Sequence, residues 1–412
     1  MAYWPETRIL AANSPSVDAF ARWRVSVPQT LFDSVNEFDT SPLFWSSETV
    51  GGGLITHLPN ESSVNLTVAG ALNDRALRQT YEYYKYQPGK SQLVVMSAVL
   101  GAATAGVRKR IGYFDARNGV FFEQTGAGLS LVLRSYTGGG VNDTPFAQGA
   151  WNVDPLDGSG PSGVTLDPTK ANIFWVDIEW LGVGRVRAGI WGPDGMPILC
   201  HEIRNANANT AVYMTTASLP IRYEVENTAG GNAGAMKQIC STVLTEGESG
   251  NIVKPYFFGA GATSNIGVTT RQAVFSIRPR LTFNGLTNRI RVIPQDLGLI
   301  VTTNDAYWEL VYKPTFTGAP AWVNADATNS SVQYSLHTGV GNGAITGGVV
   351  VAAGFAPAAQ GSFARYEAKG FDFKYPITLD LNGANPIALS VVCTSLNNTA
   401  NVRSLMNWAE IR

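Results

Sequence analysis

The sequence contains little charge. Only 15% of its 412 residues are Asp, Glu, Lys or Arg, and 30 basic residues against 31 acidic ones leave a formal net charge of −1. Soluble domains typically carry about 25% charged residues. Like charges run no further than Arg108, Lys109 and Arg110. Because nucleic-acid binding rests on clustered Lys and Arg that neutralise phosphates, we predict no nucleic-acid partner.

Cysteine and histidine are equally scarce, with three of each. The cysteines, at positions 200, 240 and 393, are far apart and odd in number, which excludes a disulfide framework and zinc-ligand spacing. His57, His201 and His337 are each separated from any nucleophile motif, and Cys200 beside His201 points to the opposite face of a strand. We therefore assign no catalytic residue, metal site or cofactor, and expect folding in a reducing compartment.

No segment is typical of export or of a membrane span. The N-terminal stretch MAYWPETRILAANSP carries charges and two prolines where a signal peptide needs an uninterrupted apolar core. The most apolar run, residues 344–359, is interrupted by three glycines and a proline and is too short to span a bilayer. We predict no membrane partner.

Strand patterns are abundant, and residues 173–191, IFWVDIEWLGVGRVRAGIW, carry the clearest one. Phe174, Val176 and Ile178 alternate with polar or outward positions, which is the period of a strand with one buried face. Gly182 and its neighbours then favour a turn before the extended pattern resumes. We expect a tight hairpin at the centre of a large sheet.

Short apolar or alternating runs continue from residue 87 to the C-terminus, and the turns ARNG and PDG favour hairpins. This pattern predicts a mainly β protein built of antiparallel β-sandwich or jelly-roll domains. We expect an extended N-terminal arm at residues 1–75, a central sandwich at 76–250 and a C-terminal sandwich at 251–412, with the linker at 246–264. A single composite sandwich that shares strands between the halves is the alternative.

Residues 73–86, NDRALRQTYEYYKY, fit either a helix or a strand. Two arginines and four tyrosines in this stretch suit a sheet surface that touches a partner. Together with the low surface charge, such residues favour an assembly of several subunits.

One carboxylate pair raises the question of catalysis. Asp177 and Glu179 stand two apart, and DIEWLG resembles the motif of laminarinase-like glycoside hydrolases, in which paired carboxylates act as nucleophile and acid. The third carboxylate of that motif falls on Gly182 and is missing. We therefore favour pairing with Arg185 or Arg187 across the hairpin. The interface or ligand-binding candidates are Trp175, Asp177, Glu179, Arg185 and Arg187.

Several long phrases resemble a segment found in structural proteins of tailed bacteriophages and other large DNA viruses. They lie within residues 86–248 and include QPGKSQLVVMSAVLG, RKRIGYFDARNGVFFEQTGAGLSLVLRS and YMTTASLPIRYEVEN. The resemblance implies a virion component, made in the host cytoplasm, with no known catalytic site.

From this resemblance we predict a capsid decoration protein or a head or vertex fibre component that binds other virion proteins and itself, as a homotrimer. One alternative is a tail fibre or receptor-binding protein that recognises a host surface glycan by stacking exposed tryptophans on sugar rings. The other is a polysaccharide depolymerase that uses Asp177 and Glu179.

Overall fold

The computed structural model describes residues 26–247, 255–338, 342–358, 365–369 and 373–412. Regular structure within these ranges consists of β-strands and two short 3-10 turns, Pro59–Glu61 and Gln148–Ala150. All strand pairs are antiparallel, so the predicted antiparallel, mainly β fold is confirmed. None of the described residues forms a helix long and apolar enough to cross a membrane.

The first sandwich contains fifteen strands. They are β1 Pro28–Ser34, β2 Trp45–Val50, β3 Leu54–Leu58, β4 Ser63–Val68, β5 Arg75–Thr80, β6 Gln92–Val99, β7 Val107–Phe114, β8 Gly119–Thr125, β9 Gly128–Ser135, β10 Asn142–Ala147, β11 Asn172–Ile178, β12 Val186–Trp191, β13 Pro197–Ile203, β14 Ile221–Asn227 and β15 Gly234–Glu246.

These strands form two sheets that enclose one core. The first sheet has the order β13-β12-β11-β6-β15-β4-β3, with β1 also paired to β15, and the second has the order β10-β9-β8-β7-β14-β5-β2. Alternate side chains of both sheets point inward, so Val94, Phe174 and Tyr223 are fully buried in the same hydrophobic cluster. Burial of this apolar surface is the main source of stability.

Part of the predicted N-terminal arm belongs to this sandwich. Residues 1–25 lie outside the described residues, but β1, β3 and β4 pair within the first sheet and β2 pairs within the second. The alternation in SSVNLTV explains the difference, because it buries Val64, Leu66 and Val68 in the core while β4 pairs with β15. Residues 28–68 are therefore structural strands of the sandwich.

The second sandwich contains the remaining strands. They are β16 Tyr256–Gly261, β17 Ile266–Val268, β18 Gln272–Pro279, β19 Thr282–Phe283, β20 Leu286–Thr287, β21 Arg291–Thr303, β22 Ala306–Tyr312, β23 Thr315–Phe316, β24 Val323–Asn324, β25 Val332–Ser335, β26 Ile345–Thr346, β27 Val349–Ala356, β28 Arg365–Lys369, β29 Leu389–Ser395 and β30 Ala400–Ile411.

Its two main sheets have the orders β16-β30-β21-β28, with β17 on β30, and β24-β25-β18-β29-β22-β27. A separate core lies between them, with Trp308 and Trp408 at its centre. Each described sheet draws its strands from one half of the chain, so the composite sandwich with shared strands is not formed there. The connection between the sandwiches is shorter than the predicted linker at 246–264, because β15 extends to Glu246 and β16 begins at Tyr256.

The two sandwiches contact one another through the tyrosine-rich stretch of residues 73–86. Lys313 Nζ donates a hydrogen bond of 2.7 Å to the hydroxyl of Tyr81, and Arg291 pairs with Glu82 at 2.9 Å. Burial raises the pKa of the Glu82 carboxyl, and Arg291 opposes this rise. The surface that we expected to touch a partner thus touches the second half of the same chain.

Candidate functional site

The predicted hairpin forms, although away from the centre of its sheet. β11 and β12 pair antiparallel with Phe174 opposite Ile190 and Asp177 opposite Arg187. They are the third and second strands from one edge of the sheet. The connection is also longer than a tight turn, because β11 ends at Ile178 and a loop of residues 179–185 precedes β12.

Asp177 forms an ion pair with Arg187, its cross-strand neighbour. Both Nε and an NH2 group of Arg187 donate to the same carboxylate oxygen, Nε at 3.1 Å. Asp177 is only 8% exposed, and its other oxygen, Oδ1, has no hydrogen-bond partner among the described residues. The Asp177–Arg187 ion pair is therefore the cross-strand contact that antiparallel pairing of β11 and β12 predicts.

Glu179 does not stand beside Asp177 on one face of a strand. It lies beyond the end of β11, where its backbone N–H donates to the Arg185 carbonyl at 3.0 Å, and its side chain is exposed. Arg185 lies 3.7 Å from Glu202 instead of pairing with either predicted carboxylate. Of the two arginines predicted as partners, Arg187 is the one that pairs with Asp177, whereas the loop turns Arg185 towards β13.

Trp175 covers the outer face of the hairpin. Its indole Nε1 donates to the Ile190 carbonyl at 3.1 Å, and its ring lies over Gly189, where a Cβ would be 2.6 Å from the ring. Trp175 is 7% exposed. None of the eight tryptophans in the described residues is exposed, and Trp180, Trp191 and Trp322 are the half-buried ones. The described part thus offers no open tryptophan platform for a sugar ring.

A serine and a histidine that are distant in sequence meet in the second sandwich. Ser276 Oγ lies 2.8 Å from His337 Nε2 and 2.6 Å from Ser390 Oγ, and the second ring nitrogen of His337 bonds the Asn342 carbonyl at 2.9 Å. The sequence places His337 in no nucleophile motif and gives no sign of this contact with Ser276. Ser276 is fully buried, so the network stabilises the core.

The other two histidines are also structural. His201 Nδ1 accepts a hydrogen bond of 3.1 Å from the backbone N–H of Asn152, and His57 Nε2 lies 2.8 Å from the Asn36 carbonyl. Within the described ranges no group of three His, Cys, Asp or Glu side chains is placed to hold a metal ion.

A cavity of about 860 Å³ lies between the two sandwiches. We refer to it as the inter-sandwich cleft. Its walls come from the β7–β8 loop, residues 215–218, the segment 286–291 and the loop at 381–382. The volume is within the range of about 300–1,000 Å³ that ligand sites occupy.

The β7–β8 loop is held rigidly at the edge of this cleft. Asp115 Oδ1 accepts hydrogen bonds from the backbone N–H groups of Arg117 at 2.7 Å and Asn118 at 2.8 Å. Asn118 is buried and joins the loop to Thr215 Oγ1 at 2.8 Å. The ARNG turn that the sequence predicts is therefore present, and its tertiary contacts fix Arg117 at the cleft.

Comparisons with known proteins give structural similarity without a sequence relative. No protein-family model matches the chain, and no curated protein matches its sequence. A carbohydrate esterase from the Shiga toxin-encoding bacteriophage phi24B aligns over 54% of this chain and 100% of its own, with 12% identity and a TM-score of 0.30. The CBM2 module of the evolved Dit of Lactobacillus casei phage J-1 aligns over 55% and 99%, with 8% identity and a TM-score of 0.35.

Peanut lectin also aligns, over 55% of this chain and 100% of its own, with 10% identity and a TM-score of 0.32. The structural neighbours thus include phage-derived and lectin proteins. TM-scores this low support no argument about what the present chain binds or does.

Proposed function

We propose that this chain is a structural protein of a virus particle, a capsid decoration protein or a component of a head or vertex fibre. The proposal is supported by where the fold places residues 86–248, the segment that resembles structural proteins of bacteriophages and other large DNA viruses. Residues 86–248 contain β6 to β15, which are ten of the fifteen strands of the first sandwich. The resemblance therefore extends over most of a folded unit and does not stop at one short motif.

In this proposal the protein acts by binding. The two sandwiches are joined by Tyr81 and Lys313 and by Glu82 and Arg291, which suits a spacer with a defined shape. Copies around a three-fold axis present several identical contacts to the particle. Each contact raises the effective concentration of the next, so weak single contacts give stable occupancy.

The exposed end of the hairpin is the proposed contact surface. Glu179 is exposed and the Arg185 side chain is 44% exposed, and neither is needed for the core. We expect Glu179→Ala and Arg185→Ala to lower the number of copies per particle, whereas Arg403→Ala, an exposed change on the second sandwich, leaves that number unchanged.

The test is quantitative mass spectrometry of purified particles together with a cryo-electron-microscopy map. The proposal requires a fixed copy number and density for three chains around an axis. Absence from purified particles, with abundant protein in the infected-cell lysate, would refute it. A position at the tail tip would favour the receptor-binding alternative.

The depolymerase alternative makes a different prediction. It requires cleavage of a host polysaccharide that Glu179→Gln abolishes while the fold is kept. We propose that no such cleavage occurs, since Asp177 is occupied by Arg187 and Glu179 lies outside the strand.

A further inference from the structure

The inter-sandwich cleft is lined by seven basic side chains and only one acidic side chain, Asp115. Four of the basic groups are neutralised by acids behind the cleft wall. These pairs are Arg75 with Glu48, Arg222 with Glu224, Arg291 with Glu82 and Arg412 with Glu410. The remaining three cations are Lys85, Arg117 and Arg289.

Lys85 and Arg117 form no ion pair with any described residue, and both side chains are exposed to the cleft. The guanidinium of Arg117 lies 4.8 Å from the centre of the Tyr136 ring, which orients it without neutralising it. Lys85 stays exposed, but the cleft walls around it partly desolvate its ammonium group and lower its pKa. Both cations therefore lack a counter-charge.

Arg289 forms no salt bridge with any described residue, although its charge contributes, after hydrogen bonds from Asn385 and Ala384, to the lowered pKa of the nearby Asp380 carboxyl. It donates to the carbonyls of Asp380 at 2.7 Å and Leu381 at 3.0 Å, and its guanidinium lies 4.5 Å from the Tyr83 ring. Carbonyl groups satisfy hydrogen bonds but carry no net charge. The nearby carboxylates accept hydrogen bonds from other groups, Asp115 Oδ1 from two backbone N–H groups of its own loop and Asp380 from Asn385.

Apolar side chains, among them Leu286, Ile290 and Leu381, make up part of the remaining lining. The other part consists of hydroxyl and amide groups, including Thr215, Thr216, Ser218, Thr287 and Asn382. Such groups hydrogen-bond sugar hydroxyls. Cationic groups bind carboxylate or sulfate oxygens through charge-assisted hydrogen bonds, and arginine does so with two parallel bonds. The combination matches a ligand that carries both hydroxyls and acidic groups.

A nucleic acid fits this lining less well. Single-stranded nucleic acids are held by open aromatic rings on which bases stack, whereas the rings of Tyr83 and Tyr136 are covered by Arg289 and Arg117.

We propose that the inter-sandwich cleft binds an acidic oligosaccharide, with Arg117 and Lys85 holding its carboxylate or sulfate groups. This inference does not depend on the proposed virion role, because the cleft belongs to the folded chain itself. It names the chemistry of the ligand and leaves its biological source open.

The test is isothermal titration calorimetry of the full chain with three acidic probes, trigalacturonate, α2,8-linked trisialic acid and a heparin tetrasaccharide. Neutral cellotriose and a short oligo-dT serve as comparison ligands. We expect at least one acidic probe to bind and cellotriose not to bind. Stronger binding of trigalacturonate or trisialic acid assigns carboxylate specificity, and stronger binding of the heparin fragment assigns sulfate specificity.

Two pairs of matched variants localise the binding. Arg117→Gln and Lys85→Gln should each weaken binding of that probe by about tenfold, the loss expected for one charge-assisted hydrogen bond. Arg204→Gln and Lys170→Gln remove exposed cations outside the cleft lining and should change affinity less than about twofold.

Failure of all three acidic probes to bind overturns the proposal, as does equal binding of cellotriose. It is also overturned if the cleft variants bind as tightly as the control variants. If oligo-dT binds as well as the acidic sugars, and Arg117→Gln weakens that binding equally, the cleft is an unspecific polyanion site and the assignment to a carbohydrate is wrong.

Discussion

Glu224 in the first sandwich and Glu410 in the second are both buried carboxylates, but their surroundings differ. Glu224 is 2% exposed and lies 3.2 Å from Arg222 and 3.5 Å from Arg110. Glu410 is fully buried and accepts hydrogen bonds chiefly from neutral groups, among them Ser331 Oγ at 2.7 Å. One carboxylate is thus compensated by opposite charge and the other mainly by hydroxyl, indole and backbone donors.

The surroundings of Glu224 extend over the outer face of the second sheet. Phe114 and Phe121 are fully buried there, outside the main core. Guanidinium groups cover them, with Arg134 5.1 Å and Arg110 5.5 Å from the Phe121 ring. Apolar surface is therefore sealed by arginine stems whose charges are balanced in turn by acids.

The surroundings of Glu410 are compact. Ser330 Oγ donates at 2.5 Å, the Ser331 N–H at 2.9 Å and the Trp408 indole at 3.2 Å, and Arg412 lies 3.2 Å away at the edge. The contrast shows that a buried charge needs satisfied hydrogen bonds, which either ions or neutral donors can supply. If the carboxylate of Glu224 is removed, a buried arginine loses its opposite charge. Removal of the Glu410 carboxylate leaves mainly neutral donors behind.

The largest expected effect therefore comes from Glu224→Gln. This change leaves Arg222 buried beside a neutral amide, whereas Arg110 keeps its ion pair with Glu123 at 2.8 Å. Because one buried charge loses its partner, we expect a loss of about 3–5 kcal/mol in the free energy of unfolding of the first sandwich. Glu410→Gln keeps an acceptor beside serine hydroxyls that can rotate, so we expect a loss of about 1–3 kcal/mol in the second sandwich.

Hydrogen–deuterium exchange of peptides from β14 and β30, measured over a urea series, reports the free energy of unfolding of each sandwich separately. Glu226→Gln is the matched control on the same strand, because its pair with Arg108 is partly exposed and should contribute less than about 1 kcal/mol. Equal losses for the two buried glutamates would contradict the comparison.

A smaller effect concerns the pH dependence of the first sandwich. Lys109 is buried and donates to the carbonyls of Leu100 at 2.6 Å and Ala102 at 2.8 Å. Burial lowers its pKa to about 8, from an ordinary value of 10.5. Between these values the unfolded chain binds more protons than the folded one, so this group makes stability rise with pH.

We expect Lys109→Met to remove that rise between about pH 8 and pH 10 relative to the unchanged protein. Urea midpoints followed through peptides of the first sandwich measure it, and exposed Lys170→Met is the control. A rise of the same size in Lys109→Met would show that other groups cause it.

The smallest expected effect lies at the contact between the sandwiches. Tyr81→Phe removes the hydroxyl that accepts from Lys313 but keeps the ring, which lies 4.2 Å from that ammonium group. We expect a loss of about 1 kcal/mol, visible as faster exchange at the β22 end beside Lys313. Tyr375→Phe, where the ring packs on Phe44, should have less effect, and the reverse order would contradict the assigned hydrogen bond.

The hairpin shows how much the sequence predicts. Alternation identified β11 and β12 correctly and suggested a cross-strand arginine for Asp177. It did not reveal that β11 ends at Ile178, because the alternating pattern continues through Glu179 and Trp180. A period of two describes which face a residue takes and does not indicate where pairing stops.

The cleft shows what the sequence did not reveal. Lys85, Arg117 and Arg289 lie in three separate stretches of the sequence. The local patterns predict a partner-contacting surface around Lys85, a turn around Arg117 and a series of strands around Arg289. The contact between Ser276 and His337 could not be predicted for the same reason, because the two residues are 61 positions apart. Sequence spacing reports only neighbours along one strand or turn, so the residues around such sites share no local pattern.

Local periodicity and turn chemistry by themselves determined that this chain forms antiparallel strands in two successive series, since these preferences act over a few residues. The tertiary structure alone decided that residues 28–68 complete the first sandwich and that residues 81–83 contact the second. It also decided that three cations that form no ion pair with the described residues face one cleft. Those outcomes depend on which distant surfaces bury each other, and that is set by packing over the whole chain.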